Sequence, residues 1–176
     1  MNTTKKSPFV FYVADVIRNG ITDYRTQTGP SPTRIGPAMI AIPEDGDVTV
    51  SATLNPLGEA VMVDADISAK LQGECVRCLA PLTPQADLHV TQVFALTEDF
   101  IQGDDAEDED DELPMVEKDH IDLLQTVLDE AGMTLPFNPV CPDGCTNEDT
   151  PAPDGESEKA QEEKVDPRWA GLEKFL

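Results

Sequence analysis

Two close pairs of cysteines constrain this chain more than any other feature of its 176 residues. Cys75 and Cys78 form a C-x-x-C in GECVRCLAPL, and Cys141 and Cys145 form the second pair in PVCPDGC. Each spacing suits a tight turn that aims two sulfur atoms at one point, and four thiolates can ligate one structural zinc ion. The pattern therefore favours a fold that brings together two segments separated by 62 residues.

These four thiols admit three interpretations. Structural zinc is favoured by the pairing and the spacing, and four thiolates would leave no open coordination position for catalysis. A redox-active C-x-x-C is disfavoured because no βαβ pattern surrounds Cys75. The third interpretation is four reduced cysteines that bind no metal. Arg77, between the first two cysteines, is either a contact for a partner or an ordinary surface arginine.

The residues around the first pair alternate with the period of a β-strand. In residues 47–54 the apolar side chains occupy every second position, and residues 59–71 and 86–96 repeat this pattern. One apolar and one polar face indicate half-buried antiparallel strands. We therefore expect a three-stranded meander over residues 47–96, with the turn of the first cysteine pair at one end.

Shorter elements precede the meander. Residues 8–14, PFVFYVA, are aromatic and β-branched, which favours a strand. Asp15 is a candidate cap for a short helical turn that Gly20 ends. Residues 22–37 contain several Gly and Pro and predict a loop, and residues 39–42 predict a short strand.

One segment has helical periodicity. In residues 120–133 the apolar side chains recur at spacings of three and four, as on one face of a helix. Asp119 is the candidate N-cap and Gly132 the candidate C-cap. We therefore expect an α+β fold, an antiparallel β-meander or partly open barrel packed against one main helix. The expected core combines the helical face with the inner face of the strands: Ile121, Leu124, Val127, Leu128, Val61, Val63, Ile67 and Phe94.

Two acidic segments interrupt this pattern. Eight of the nine residues 104–112 are acidic, and residues 146–166 hold eight acidic and two basic side chains. Like charges at that density oppose packing. We expect a single domain over residues 1–145 that contains a disordered acidic loop at 97–119, followed by a disordered linker at 146–166.

The C-terminal residues 167–176 are apolar again. Asp166 and Pro167 suit the start of a helix, and Trp169, the only tryptophan, shares an apolar face with Leu172. At the end of a polar tether, such a segment is either a short helix folded onto the domain or a docking peptide that binds a partner.

The net charge of −23 is spread unevenly. Residues 1–43 carry a net +3, so the remainder carries −26. Such a field repels phosphate backbones, which argues against broad RNA binding, and it attracts basic proteins. Candidate contacts for a basic partner are therefore Asp104, Asp105 and Glu107. The alternative is that this acidic run is only a solvating spacer.

The sequence has no recognisable catalytic group. His89, expected on the exposed face of its strand, and His120 lie in no nucleophile motif, and acids in disordered runs cannot hold a fixed geometry. We predict no enzymatic activity and no small-molecule substrate. Lys5 and Lys6 begin no signal peptide, and no apolar stretch approaches the roughly 20 residues that span a bilayer. We expect a cytoplasmic protein without membrane contact.

Several motifs follow one another along the chain: FVFYVADVIRNG, the strand that leads into ECVRCL, the run IDLLQTVLDEAGMTLPFNPVC and the ending DPRWAGLEKF. Their order resembles that of the YceD-like family of bacterial and chloroplast proteins. By position, Cys75 and Cys78 match the first cysteine pair of that family, and Cys141 and Cys145 match the second. Many members continue with a glycine-leucine-cysteine segment and a further C-x-x-C, where this chain has an acidic linker from Thr146.

The resemblance implies a role in the accumulation or processing of large-subunit ribosomal RNA, hence in ribosome assembly. We therefore expect a non-enzymatic factor that binds a ribosomal protein or a pre-50S particle. One alternative is an acidic module that shields a basic ribosomal protein, and another is a zinc-stabilised interaction domain of other function. A redox or metal-dependent enzyme ranks last.

Overall fold

Nine strands and two helices make up the part of the chain that the computed structural model describes, residues 7–97 and 113–145. In chain order they are β1 Val10–Tyr12, α1 Ala14–Asn19, β2 Asp23–Pro30, β3 Ile40–Ala41, β4 Asp47–Pro56, β5 Ala60–Lys70, β6 Gln72–Glu74, β7 Pro81–Leu82, β8 Gln85–Ala95, β9 His120–Asp122 and α2 Leu124–Thr134. The strands form a four-stranded antiparallel sheet of order β2-β4-β5-β8, a three-stranded sheet β3-β6-β7 and a β1-β9 pair. All these elements belong to the unit Met1–Gly144; of the second unit, Cys145–Leu176, only Cys145 is described.

The predicted meander forms three neighbouring strands of the large sheet. β4 pairs antiparallel with β5, and β5 with β8, so the prediction of three antiparallel strands over residues 47–96 is confirmed. Alternate side chains are buried on one face, as a period of two requires. The predicted α+β class is also confirmed, with open sheets and one main helix. The buried side chains of this face are Val48, Val50, Ala52, Leu54, Val61, Val63, Ala65, Ile67, Ala69, Ala86, Leu88, Val90 and Phe94.

The opposite face of the large sheet is polar and open to solvent. Hydroxyl pairs join β2 to β4 across it, with Thr26 Oγ1 3.2 Å from Ser51 Oγ. His89 lies exposed on this face, as predicted. Its Nδ1 is 2.8 Å from an Asp66 oxygen, and its Nε2 is 3.2 Å from an Asp64 oxygen. These carboxylates stabilise the charged imidazolium, with the Asp66 hydrogen bond as the largest contribution, and raise the pKa of His89.

The prediction of a loop over residues 22–37 is wrong, because β2 occupies the first half of that segment. β2 is an edge strand that pairs with β4 alone among the described residues. Its outward side chains are polar, and its inward Arg25 and Gln27 donate hydrogen bonds to the backbone carbonyls of Tyr12 and Val10. No apolar alternation therefore marks the strand in the sequence.

The N-terminal elements follow the predictions with one change. β1 lies within the predicted strand. The helical turn ends at Gly20, which has a positive φ of 65° and donates a backbone hydrogen bond to Val16 O, and this closes α1. Asp15 is not the cap that was predicted. The N-cap position is Val13, and Asp15 lies in the first turn, where a negative charge is favourable.

The predicted helix begins too early. Residues 120–122 form β9, in which Ile121 lies opposite Phe11 of β1. Asp119 has a φ of 64° and does not cap the helix; instead the Asp122 carboxylate accepts a 2.9 Å hydrogen bond from Leu124 N. Gly132 is not the C-cap either, because α2 continues to Thr134 and ends at the extended Leu135. Pro136 follows, and a residue before proline avoids the helical backbone.

The helix packs against β8 and closes the core. Val127 and Ala131 are fully buried, and Ile121 contributes to the core from β9. Leu124 and Leu128, which were expected in the core, are only half-buried at its edge. Because the helix starts four residues later than predicted, Ile121 lies in a strand instead of on the helical face. Its side chain is therefore fixed by strand pairing.

The end of β8 is joined to the segment that precedes β9. Ala95 N donates to Pro114 O and Val116 N donates to Ala95 O, both at 2.9 Å. The predicted acidic loop at 97–119 therefore includes residues, from 113 onward, that bond to the sheet. The remainder of that loop, with Asp104, Asp105 and Glu107, lies outside the described residues, as do the predicted linker 146–166 and the segment 167–176 with Trp169.

Candidate metal centre

The first cysteine pair lies in the turn between β6 and β7. Leu79 N donates to Cys75 O and Cys75 N donates to Ala80 O, both at 2.9 Å, so the turn is closed by its own backbone. Leu79 adopts a positive φ of 60°, which completes the tight reversal. The strand that enters this turn needs a glycine at position 73, where it lies very close to the neighbouring segment. A Cβ at Gly73 would be only 2.4 Å from Met39 O. The backbone path to the first thiol is thus fixed by sheet packing.

The second pair follows α2 along an extended, proline-rich path. Val76 N donates a 2.9 Å hydrogen bond to Pro139 O, which joins this path to the turn of the first pair. Gly144, with a φ of 86°, donates at 3.3 Å to Cys141 O and turns the chain toward Cys145. The two cysteine segments are therefore connected by a backbone hydrogen bond as well as by their side chains.

The four sulfur atoms lie within 4.8 Å of one another. Cys78 Sγ and Cys141 Sγ are 3.5 Å apart. A tetrahedral zinc ion with Zn–S bonds of about 2.3 Å requires sulfur atoms about 3.8 Å apart, so this spacing fits a single metal ion. Cys75 is buried and the other three are half-buried. The four cysteines, predicted as one ligand set, are together in space and can hold a metal ion.

The electrostatics of the thiols favour a cation between them. Hydrogen bonds from the backbone N–H of Cys78, and of Arg77 and Cys141, outweigh burial and lower the pKa of Cys75 from 9.0 to about 6. Hydrogen bonding to the Cys78 and Cys75 side chains, together with burial, raises the pKa of Cys141 from 9.0 to about 12. One thiolate is thus stabilised while its neighbour keeps a proton, because closely spaced negative charges repel. A divalent cation would remove that repulsion and deprotonate the remaining thiols.

The surroundings suit a structural site. Four thiolates complete the tetrahedral sphere of a zinc ion and leave no position for a reacting water. The C-x-x-C lies between two short strands, whereas a redox-active pair commonly uses a helix N-terminus to lower a thiol pKa. Arg77, the predicted partner contact in the same turn, is exposed to solvent.

A groove that was not predicted from the sequence lies beside this cluster. The groove has a volume of about 530 Å³ and is lined by Ile40 of β3, by β7 and the segment after it, and by the path that leads from α2 past Cys141 to Pro142. Five of its lining residues are prolines, Pro81, Pro84, Pro136, Pro139 and Pro142. The density of prolines in LPFNPVCPDG was visible in the sequence, but no local pattern indicates that they lie near Pro81 and Pro84.

Neither helix in the described ranges has the length and apolar composition needed to cross a bilayer.

Comparison with known proteins places the cysteine cluster within a matched region. The family model for the large ribosomal RNA subunit accumulation protein YceD matches residues 63–176. Uncharacterized proteins of Mycobacterium bovis and Mycobacterium tuberculosis are each 33% identical to this chain over 148 residues, which cover 83% of this chain and 70% of theirs. An uncharacterized protein of Mycobacterium leprae is 29% identical over 175 residues, 97% of this chain and 78% of its own. No solved structure matches significantly.

Proposed function

Because the chain belongs to the family of the large ribosomal RNA subunit accumulation protein YceD, as the order of its motifs predicted, we propose that it supports the accumulation of large-subunit ribosomal RNA. It does so in the cytoplasm as a binding protein without catalytic activity, in contact with a ribosomal protein or a pre-50S particle. The match over residues 63–176 carries this proposal.

A binding role agrees with the chemistry of the described residues. The cysteine cluster offers four sulfur ligands and so saturates a metal ion. His89 lies on the open face of the sheet between two carboxylates, where solvent screens any charge that a reaction would develop. A general acid or base needs a fixed, enclosed geometry around a substrate, and neither group supplies one.

Zinc is the metal that we propose for the cluster. Zinc accepts four thiolates in tetrahedral geometry, and the sulfur spacing of 4.8 Å or less permits that arrangement after small adjustment. Its role is structural: it fixes the turn of Cys75 and Cys78 to the segment of Cys141 and Cys145. The ion contributes folding free energy, because its ligands meet only in the folded chain.

The distribution of charge favours a second, compatible role as an acidic module that shields a basic ribosomal protein. The described ranges alone contain sixteen acidic and six basic side chains. The run of residues 104–112, with Asp104, Asp105 and Glu107, adds further negative charge. A basic protein held by such a surface would be released when RNA, a stronger polyanion, competes for it.

Recovery of the tagged full chain from its source cells, with and without ribonuclease, tests the assembly role. We expect precursors of the large ribosomal subunit in the untreated sample and their loss after ribonuclease. Depletion of the protein should lower large-subunit ribosomal RNA relative to small-subunit RNA. If neither ribosomal RNA nor ribosomal proteins are recovered, and depletion leaves the RNA ratio unchanged, the proposal is wrong.

Deletion of residues 104–112 tests the shielding role separately. Binding of purified large-subunit proteins is compared at about 50 and about 200 mM salt, because screening weakens charge attraction over this range. Shielding predicts weaker binding and a smaller salt dependence in the deletion variant. Unchanged affinity and salt dependence would identify the segment as a spacer.

A further inference from the structure

We propose that the groove between β7 and the 136–142 segment is a docking site for an extended basic peptide segment of a partner protein. This inference deepens the proposed function, on which it rests for the kind of partner, and it identifies the surface that the partner contacts. The groove lies entirely within the unit Met1–Gly144.

The walls of the groove are mostly apolar, and Thr83 and Asn138 contribute the polar side chains of its lining. The five prolines that line it have no backbone N–H, so at these positions the backbone offers only carbonyl acceptors. The carbonyls of Pro84 and Pro139 each accept one hydrogen bond, from Leu71 N and Val76 N, and each keeps a second lone pair. A ligand that brings hydrogen-bond donors on an apolar body therefore suits the proline-lined part of this groove.

Lysine and arginine side chains have that composition. Their aliphatic stems cover apolar surface while their charged ends donate several hydrogen bonds. An aliphatic side chain between two such residues would contact the apolar lining residues Leu82 and Val140. Acidic side chains would instead bring only acceptors toward the proline carbonyls.

The charge of the protein favours the same ligand. The described ranges hold sixteen acids against six bases, and the exposed Glu74 and Asp143 lie next in sequence to groove-lining or cluster residues. Glu74 lines a second cavity of about 460 Å³ that shares Pro81, Leu82 and Thr83 with the groove. The negative field raises the rate of encounter with a basic segment and disfavours RNA at the same surface.

The rim of the groove also exposes apolar surface. Val140 is 48% exposed within it, and Phe137, two residues from Pro139, is 66% exposed. Exposed apolar side chains around a shaped groove are typical of protein interaction sites. The cysteine cluster holds this rim in place, because Cys141 lies directly between Val140 and Pro142.

The test uses the metal-loaded full chain and a fluorescein-labelled peptide of about ten residues that alternates lysine with leucine. Fluorescence anisotropy measures its binding at about 50 and about 200 mM salt. Control peptides replace lysine with glutamate or leucine with serine. We expect the lysine–leucine peptide to bind, the glutamate peptide not to bind, and the serine peptide to bind at least about tenfold more weakly.

A matched pair of variants locates the site. Val140→Arg places a long cation in the groove, whereas Leu57→Arg makes the same change of charge in the turn between β4 and β5, at the opposite end of β5 from the cysteine turn. The two side chains are equally exposed in the native protein, at 48% and 49%. We expect Val140→Arg to weaken peptide binding at least about tenfold and Leu57→Arg to change it less than about twofold. Equal losses in both variants would show only general charge attraction and would overturn the proposal.

Further measurements distinguish a basic peptide from other occupants of the groove. Methyl NMR signals of Leu82 and Val140 should shift on addition of the peptide. If neither signal shifts at millimolar peptide, the proposal is overturned, whether the groove is empty or is occupied by residues 167–176. If self-association alters the same signals, the groove binds a second copy of the chain. If a uridine oligonucleotide binds there saturably, the groove binds RNA. Either result overturns the proposal.

These results are distinguishable from failure of the proposed function. If the wild-type chain and Val140→Arg recover the same pre-50S particles, the groove proposal fails and the assembly role stands. If the wild-type chain recovers no such particles, the assembly role fails, and the peptide measurement alone decides whether the groove binds basic segments.

Discussion

Cys78 Sγ lies 3.5 Å from Cys141 Sγ although the two residues are 63 positions apart in the chain. The contact joins the turn between β6 and β7 to the segment that follows α2. A cross-link that closes a loop of this length restricts the unfolded chain and stabilises the folded one by on the order of 4 kcal/mol. A metal ion at the cluster would therefore contribute to stability through chain closure as well as through its bonds.

Replacement of one ligand should reveal the metal. If the wild type binds one zinc ion per chain, as we propose, we expect bound zinc to fall well below that value in Cys141→Ser, and the free energy of unfolding to fall by on the order of 4 kcal/mol. Elemental analysis and urea denaturation measure both quantities in protein purified without chelator. Thr91→Ser, on the outer face of the sheet, is the matched control and should keep the metal. A metal-free wild type would contradict the prediction.

Removal of the metal should expose the unequal thiol pKa values. In the metal-free chain Cys75 has a pKa of about 6, below its ordinary 9.0, so between pH 6 and 9 the unfolded state binds more protons and stability should rise with pH. Cys141 has a pKa of about 12, so above pH 9 the folded state holds the extra proton and its contribution should decline. Urea denaturation from pH 6 to 9 measures the first effect. Cys75→Ser should flatten that slope, and an unchanged slope would argue against the assigned thiolate.

A charge in the core should unfold the domain. Val127 is fully buried on the inner face of α2, so Val127→Asp leaves an unpaired carboxylate among apolar side chains and should cost about 4 kcal/mol or more. Met133→Asp, on the same helix at 76% exposure, is the control and should change stability by less than about 0.5 kcal/mol. Thermal melting followed by circular dichroism distinguishes them. Similar melting curves for the two variants would mean that α2 does not pack on the sheet.

His89 should titrate above its usual pKa of 6.5. The hydrogen bond that the Asp66 carboxylate accepts from His89 is the main cause, so Asp66→Asn should lower the His89 pKa, whereas Asp15→Asn on α1 should leave it unchanged. Because the folded pKa is raised, the associated stability is present below pH 6.5 and is lost as the pH rises through the folded value. NMR titration of the imidazole signals measures the shift. Equal pKa values in the wild type and Asp66→Asn would rule out this pairing.

The strands that carry apolar alternation could be predicted from the sequence, and the others could not. β4, β5 and β8 bury every second side chain, so Val50, Val63 and Val90 indicate both the strand and its inner face. β2 escapes detection because Gln27 faces inward as a hydrogen-bond donor to the backbone of β1, a contact between segments that no local pattern reveals. Polar edge strands of this kind become visible only through their partners.

The helix boundary was missed for a related reason. Ile121 is three residues from Leu124, a helical spacing, yet strand pairing with Phe11 fixes Ile121 in β9. The left-handed Lys118 and Asp119 make the turn before it, at φ of 48° and 64°. Long-range pairing with residues near the N-terminus therefore overrides the local periodicity, as tertiary contacts often override helix propensity.

The cysteine cluster was the most predictable part of the site, since pairs of thiols at ligand spacing have few uses in a chain of this kind. The groove was not predictable. Its prolines come from β7, from the residue after Thr83 and from the path beyond α2, and no motif in one segment indicates the others.

The hydrogen bonds that join Ala95 to Pro114 and Val116 have a consequence for protein engineering. They hold the entry and exit points of the intervening stretch side by side, with Ala95 N 2.9 Å from Pro114 O. Lengthening a stretch with closed ends costs only about 0.6 kcal/mol for each doubling. A folded reporter domain whose own termini are close together can therefore be grafted between residues 98 and 112 while the registers of β8 and β9 are kept.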